Sequence, residues 1–229
     1  MYILGLDTSN GYSYVAVSYN SNIIYSTKDP SKNMQAENLI LAIENALKAS
    51  KITYSQIGYI AASCGPGSFT GIRVALATGR GLSIALPEVK TIGINNFQTI
   101  HFRICEQVAF FDYAIASVNA YRGQIYLQKF IREGSEEKPL LLNYDEARKY
   151  IESLDGRIAV SGSGIEKLYI ISDEIPKNIT ILPRFPYPDG RFICKVASKL
   201  IQSDNINEKL EPLYIREADA KIPSTTSQI

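Results

Sequence analysis

Residues 64 to 86 decide the fold, and they read Cys64-Gly-Pro-Gly-Ser-Phe-Thr-Gly-Ile-Arg-Val-Ala-Leu-Ala-Thr-Gly-Arg-Gly-Leu-Ser-Ile-Ala-Leu86. An apolar run from Ile57 to Ala62 precedes the glycine turn, and helical periodicity begins near Thr70. This order is typical of a parallel sheet, whose loops can present backbone N–H groups and a positive helix end to an anion. The spacing matches neither the P-loop nor the dinucleotide motif. An ordinary turn that requires φ > 0 therefore stays an open alternative.

The helix after this loop is apolar on both faces. Its inner face repeats at steps of three and four: Ile72, Ala75, Leu76, Gly79, Leu82, Ser83 and Leu86. Its outer face is small or apolar as well: Val74, Ala77, Thr78, Gly81, Ile84 and Ala85, with Arg73 and Arg80 at the edge. Small residues let a second helix approach closely, and large apolar patches usually mark interaction surfaces. We expect a partner subunit on the outer face, with cover by another layer of the same chain as the alternative.

The length, composition and net charge are those of an ordinary soluble protein. Its 229 residues can form one large domain or two small ones, and the hydrophobic content of 45% with 21% charged residues is typical of globular chains. A net charge of +1 gives no broad electrostatic footprint for nucleic acid. Three widely spaced cysteines favour reduced thiols, and neither a signal peptide nor an apolar run of about 20 residues is found. We expect a cytoplasmic protein that does not enter membranes.

The hydrophobic pattern predicts two halves of similar order. The first has strands at 2–6, 12–19, 23–27, 57–62 and 90–94, and helices at 34–49, 70–86 and 95–105. The second has strands at 113–118, 124–131, 139–142 and 157–161, helices at 144–154 and 165–171, a proline-broken stretch at 176–188, a helix capped by Asp189, and a last strand at 213–216. Asn143 and Glu146 form a capping-box signature. In the helix at 34–49 we expect Ala36, Leu39, Ile40, Ile43 and Leu47 to face the core.

Two halves that each begin with three strands predict an α/β protein. The order is that of the duplicated ribonuclease-H-like fold of actin, Hsp70 and sugar kinases, here with a reduced second half. We expect residues 1–106 to form an N-terminal subdomain that the helix and strand of 189–218 complete. Residues 107–188 would form the smaller subdomain, and 219–229 a flexible tail.

In the duplicated fold, a carboxylate at the end of the first strand holds, through water, the Mg²⁺ of a bound nucleotide, and Asp7 stands at that position. The candidate residues for such a site, or for its vestige, are Asp7, Thr8, Ser9, Gly65, Gly67, Gly162 and Gly164. The first three also form a plain turn, because Asp, Thr and Ser side chains bond their own backbone.

His101 is the single histidine, so a histidine pair for zinc or iron is excluded. A catalytic dyad would have to pair it with a nucleophile such as Cys64, although buried cysteine is common in ordinary cores. Cys105 lies four residues after His101, and we interpret that pair as packing. No strong catalytic constellation remains.

The chain resembles the TsaB (YeaZ) family, which takes part in bacterial threonylcarbamoyladenosine synthesis on tRNA. The resemblance rests on three motifs, Asp7-Thr-Ser9, Cys64-Gly-Pro-Gly-Ser-Phe-Thr-Gly-Ile-Arg73 and Ala77-Thr-Gly-Arg-Gly-Leu82. Weaker similarity continues through Ala120-x-Arg122 to Pro212-Leu-Tyr-Ile-Arg216.

The resemblance implies a non-catalytic subunit without metal or cofactor. The catalytic paralogue TsaD binds a metal through two histidines, and Asn96 and Ile100 stand at those positions here. The family pairs with TsaD through helices of the N-terminal half, recruits the ATPase TsaE, forms homodimers alone, and reaches tRNA only through the complex. The expected partner-contact residues are Met34, Leu41, Arg73, Val74, Ala77, Thr78, Gly81, Ile84 and Ala85.

Two positions depart from the family. Met34-Gln35 replaces a histidine followed by serine or threonine, and Asn119 stands where many members have aspartate. The second change removes a carboxylate and weakens any ligand role for that loop. Two enzymatic alternatives stay open: a nucleotide-dependent transferase or kinase that uses Asp7 with the glycine loops, and a glycoprotease-like peptidase that depends on His101.

Overall fold

The computed structural model describes residues 1–132, 136–169, 175–182, 190–206 and 209–216. The first half contains β1 (Tyr2–Asp7), β2 (Tyr14–Tyr19), β3 (Asn22–Lys28), α1 (Gln35–Ala49), β4 (Ile57–Gly65), α2 (Phe69–Ala85), β5 (Lys90–Asn95) and α3 (Asn96–Gln107). The second half contains β6 (Tyr113–Tyr121), β7 (Gln124–Ile131), β8 (Leu140–Asn143), α4 (Tyr144–Glu152), β9 (Ile158–Gly162), α5 (Ile165–Tyr169) and β10 (Ile179–Ile181). Helix α6 (Gly190–Gln202) follows.

The two sheets have the same topology, which confirms the duplicated fold. The first sheet has the order β3-β2-β1-β4-β5, and the second has β8-β7-β6-β9-β10. In each sheet the first three strands pair antiparallel and the last two add in parallel. The second half is reduced: β10 has three residues where β5 has six, and α4 has nine where α1 has fifteen.

Alternating side chains of the first sheet support a helical layer on each face. Leu4 and Ile60 point to the face that α1 and α2 cover. Ile3 and Ala61 point to the opposite face and pack against Ile193 of α6. Helix α6 therefore joins the first sheet, although it follows the second half in sequence. Helix α3 lies between the halves and packs its apolar side against β6 and β9.

Local sequence features position the turns and helix ends as predicted. Asn20 and Ser21 join β2 to β3 with φ of 46° and 70°, the left-handed backbone of a tight hairpin turn. At the start of α4, the Asn143 side chain accepts a hydrogen bond from the backbone N–H of Glu146 at 2.9 Å, and the Glu146 carboxylate accepts one from the Asn143 N–H. The capping box is therefore confirmed.

Two expectations are wrong. Leu39, Ile43 and Leu47 of α1 are buried as predicted, but Ala36 and Ile40 are exposed, because the helix turns Ala42 and Ala46 toward the core instead. Residues 213–216 form no strand: Leu213 donates one backbone hydrogen bond to Cys64, at 2.8 Å, and the chain then crosses toward the second half. The Asp189 cap and the tail at 219–229 lie outside the described residues. No helix of the described ranges combines the length and apolar character needed to cross a membrane.

Candidate interaction surfaces

The outer face of α2, made by Val74, Ala77, Thr78, Gly81, Ile84 and Ala85, is largely exposed. Ala77, Gly81, Ile84 and Ala85 are exposed, whereas Val74 and Thr78 are half-buried and Val74 packs against the core. Ile84 is 81% exposed, and a Cβ built on Gly81 meets no atom within 4 Å. Among the described residues, none covers Gly81, Ile84 and Ala85, which are exposed. A second helix would find a flat, small-residue surface there.

Helix α1 extends this surface. It packs beside α2 on the same side of the first sheet. Leu41 is 57% exposed, and Met34 and Ile40 are exposed as well. We call the outer faces of α1 and α2 together the helical face, defined by Met34, Ile40, Leu41 and the six α2 residues given above.

The predicted phosphate loop of the first half is packed against the turn that follows β1. The Ser68 N–H donates to the Ser9 carbonyl at 2.6 Å, and the Thr8 hydroxyl donates to the Gly71 carbonyl. A Cβ at Gly67 would lie 2.5 Å from the Ser9 carbonyl oxygen. Close backbone approach therefore explains this glycine without a ligand.

Asp7 belongs to the same turn. It is fully buried, and its Oδ1 accepts the Ser9 N–H at 2.8 Å. This bond is the Asx-type turn that was the alternative to a metal-binding role. Gly65, with φ of 95°, begins the facing loop, so the structure brings Asp7, Ser9 and the first glycine loop together.

The second half repeats this close packing. Gly162 has φ of 113°, and a Cβ there would lie 1.9 Å from the Ser117 carbonyl oxygen. A Cβ at Gly164 would meet the Ser117 hydroxyl at 2.9 Å. The Ser163 hydroxyl accepts the Asn119 N–H at 2.9 Å. Both predicted phosphate loops are thus packed against the strand ends of their own halves.

Asn96 forms hydrogen bonds to three residues of the first half near these loops. Its amide Nδ2 donates to the Ser9 hydroxyl at 2.9 Å and to the Pro66 carbonyl at 2.8 Å. Its Oδ1 accepts from the Ser63 hydroxyl at 2.7 Å, and the residue is fully buried. Sequence reasoning placed Asn96 at a metal-ligand position of the paralogue but missed this network, since its partners are distant in sequence.

His101 is a packing residue in this structure. Its ring stacks on Phe130 with centroids 4.3 Å apart, and its Nε2 lies 3.3 Å from the Cys105 thiol. Burial lowers the pKa of His101 to about 4, and burial raises the pKa of Cys64 to about 11. The Cys64 thiol faces the Ala62 carbonyl, so the Cys64–His101 dyad is not formed. Among the described residues no three His, Cys, Asp or Glu side chains are grouped so as to hold a metal ion.

A cleft between the halves was not foreseen from the sequence. Its volume is about 910 Å³, and its lining comes from the start of α2, the β6–β7 turn and the segment 213–216. Arg73, predicted as a partner contact, lies at the edge of this cleft. Its guanidinium donates to the Tyr214 hydroxyl at 3.2 and 3.1 Å, and its Cζ lies 3.7 Å from the centre of the Phe69 ring.

Comparisons with known proteins agree with this architecture. Residues 23–154 match the family model described as "TsaD: tRNA N6-adenosine threonylcarbamoyltransferase". The tRNA threonylcarbamoyladenosine biosynthesis protein TsaB of Buchnera aphidicola subsp. Baizongia pistaciae is 25% identical over 225 residues, which cover 94% of this chain and 98% of that protein.

Two solved structures share the fold. YeaZ from Pseudomonas aeruginosa superposes with a TM-score of 0.75 at 19% identity, over 93% of this chain and 99% of that one. The ethanolamine utilization protein EutJ from Carboxydothermus hydrogenoformans superposes with a TM-score of 0.53 at 10% identity, over 86% and 90%. The second likeness shows that the duplicated architecture extends well beyond close relatives.

Proposed function

This chain belongs to the TsaB (YeaZ) branch of the family that the TsaD model describes, and from that premise we propose that it is a non-catalytic subunit in tRNA threonylcarbamoyladenosine biosynthesis. It pairs with the catalytic subunit TsaD and activates threonylcarbamoyl transfer to adenosine 37. It also recruits the ATPase TsaE and forms a homodimer when alone. It reaches tRNA only through the complex, and we infer a cytoplasmic location.

The exposed helical face carries this proposal. It joins the exposed Leu41 of α1 to the exposed Ile84 and the open Gly81 of α2. A soluble chain seldom leaves such an apolar surface in water unless a partner covers it. Small residues in the centre and large aliphatic side chains at the edge suit a close helix-to-helix contact.

The contacts of the predicted site residues support a non-catalytic role. Asn96 and Ile100 occupy the two positions that bind metal in the catalytic paralogue. Both are buried, and the Asn96 amide is used in bonds to its own chain. The turn at Asp7 likewise bonds its own backbone and the first glycine loop. These residues hold the fold together in the places where related enzymes hold a cofactor.

The two enzymatic alternatives make different predictions. A kinase or transferase would bind Mg-ATP tightly and lose that affinity in Asp7→Ala. A peptidase would lose its activity in His101→Ala. We propose that neither result occurs.

Solution mass tests the proposal most directly. Wild type should form a homodimer alone and a heterodimer with TsaD from the same organism. Gly81→Arg should be a folded monomer that binds neither, because a Cβ at position 81 meets no atom of its own chain within 4 Å, whereas the long arginine side chain would block a facing helix. The matched control is Ser203→Arg, which adds the same charge at an exposed position beyond α6, on the opposite side of the first sheet. Normal association by Gly81→Arg would refute the helical face as the interface.

A further inference from the structure

The cleft between the halves has the composition of a protein-binding hot spot. Four aromatic rings and two arginines line it, and none of the described lining residues is acidic: Pro66, Gly67, Ser68, Phe69, Ile72, Arg73, Asn119, Ala120, Tyr121, Tyr126, Leu213, Tyr214, Ile215 and Arg216. Tyrosine, phenylalanine and arginine are the residues enriched at the energetic centres of interfaces. Phe69, Tyr121 and Tyr214 are exposed, with Tyr121 at 71%.

The aromatic edge of the cleft is held in place before any ligand arrives. Tyr121 and Arg122 both have positive φ, at 59° and 53°, which is rare for large side chains. The Tyr121 N–H donates to the Asn119 side chain at 2.9 Å. Below this turn the Arg216 guanidinium donates to the Ala120 carbonyl at 3.0 Å. Because this edge is already ordered, less conformational entropy is lost when a segment binds in the cleft.

The opposite edge is equally ordered and adjoins the helical face. Arg73 is stacked on Phe69 and bonded to Tyr214, so its charge is fixed at the mouth of the cleft. The next residue, Val74, belongs to the helical face, and Ala77 lies one turn further along α2. The helical face and the cleft are therefore adjacent, so a partner bound to the helical face can extend into the cleft.

We propose that the cleft receives an extended segment of the TsaD subunit that carries a carboxylate beside an aromatic or large aliphatic side chain. This inference rests on the proposed function, since the same partner covers the helical face. The carboxylate would pair with Arg73 or Arg216, which form strong, directional bonds to carboxylates. The apolar side chain would pack between Tyr121 and Phe69. A polyanion such as RNA suits this surface less, because the described lining residues include only two arginines and no lysine, and the chain has a net charge of +1.

Photo-crosslinking identifies the occupant. A benzoylphenylalanine that replaces Tyr121 in the full-length chain, in complex with full-length TsaD and with or without tRNA, should crosslink to TsaD. Mass spectrometry should find an aspartate or glutamate within three residues of an aromatic or large aliphatic residue at the crosslinked site. A crosslink to tRNA, to a second copy of this chain or to its own residues would overturn the proposal, as would no crosslink at all.

Affinity for TsaD measures the contribution of the cleft. Tyr121→Ala should raise the dissociation constant about tenfold, as hot-spot truncations do. Arg73→Gln should weaken binding and reduce its dependence on salt. Phe110→Ala is the control, because Phe110 is a 74% exposed ring outside the cleft. If Gly81→Arg abolishes binding while Tyr121→Ala behaves like Phe110→Ala, the cleft proposal fails and the proposed function stands. If Gly81→Arg binds normally, the proposed pairing with TsaD through the helical face fails.

Discussion

Asn96→Ala is expected to destabilise the protein by about 3 to 5 kcal/mol. The substitution removes three buried hydrogen bonds, each with a net contribution of roughly 1 kcal/mol, and leaves the Ser63 hydroxyl and the Pro66 carbonyl without that partner. Unpartnered buried groups add about 1 kcal/mol or more each. For a chain of this size, a loss of about 4 kcal/mol corresponds to a melting temperature lower by roughly 8 to 16 °C.

The neighbouring Asn95 supplies a matched control. Asn95 caps α3 by accepting the N–H groups of Phe97 and Gln98 at 2.7 and 3.2 Å. Loss of such a cap costs about 1 kcal/mol, so Asn95→Ala should lower the melting temperature by only a few degrees. Far-UV circular dichroism is the suitable probe, because the chain has no tryptophan. Equal destabilisation by the two variants would refute the role assigned to the Asn96 network.

Three further predictions concern residues of the first half. Gly71→Ala should destabilise the chain by about 3 kcal/mol, since its Cβ would lie 2.0 Å from the Thr8 carbonyl oxygen. Gly81→Ala should stabilise it by about 0.5 to 1 kcal/mol, because alanine favours the helix and its Cβ meets no atom within 4 Å. Urea unfolding that shifted the stability of both variants in the same direction would contradict this prediction. Burial first, and the charge of Lys199 second, lower the pKa of His101 to about 4, so the folded state keeps the ring neutral while the unfolded state binds a proton near pH 6.5. Between pH 6.5 and 4 the free energy of unfolding should therefore fall by about 2 kcal/mol more in wild type than in His101→Gln. Parallel pH profiles of the two proteins would refute this prediction. Burial raises the pKa of the Cys64 thiol to about 11. Iodoacetamide at pH 8 should therefore leave Cys64 unmodified in the native protein and modify it in urea. Equal rates of modification in the two states would contradict the burial of Cys64.

Local chemistry made most of the fold predictable. The hairpin at Asn20-Ser21 and the capping box at Asn143 depend on residues within three positions of each other, so their signals are complete in the sequence. The inner face of α1 was predicted only in part: Leu39, Ile43 and Leu47 are buried, whereas Ala36 and Ile40 are exposed and Ala42 and Ala46 are buried in their place. Both sets of residues fit helical spacing. Which set faces the core depends on the rotation of the helix about its axis, and packing against the rest of the chain sets that rotation.

The site was only partly predictable. The apolar outer face of α2 is visible as a sequence pattern, and four of its six residues are exposed, while Val74 and Thr78 are half-buried. The Asn96 network joins residues that are 33 and 87 positions apart, and Arg73 meets Tyr214 across 141 positions. Nothing in the local sequence marks such pairs. The segment 213–216 looked like a strand because its apolar residues pack in the cleft, where they need no ladder of hydrogen bonds.

The position of α6 has a consequence for synthesis of the chain. Its buried residues Ile193 and Cys194 cover one side of the first sheet, against Ile3 and Ile92. A ribosome must complete the whole second half before α6 emerges, which takes roughly 5 to 20 s at ordinary elongation rates. During that interval the nascent first half exposes a bare sheet surface to chaperones and proteases. A release that truncates the chain before Gly190 should therefore yield aggregation-prone fragments, and slow codons after the second half would lengthen the vulnerable period.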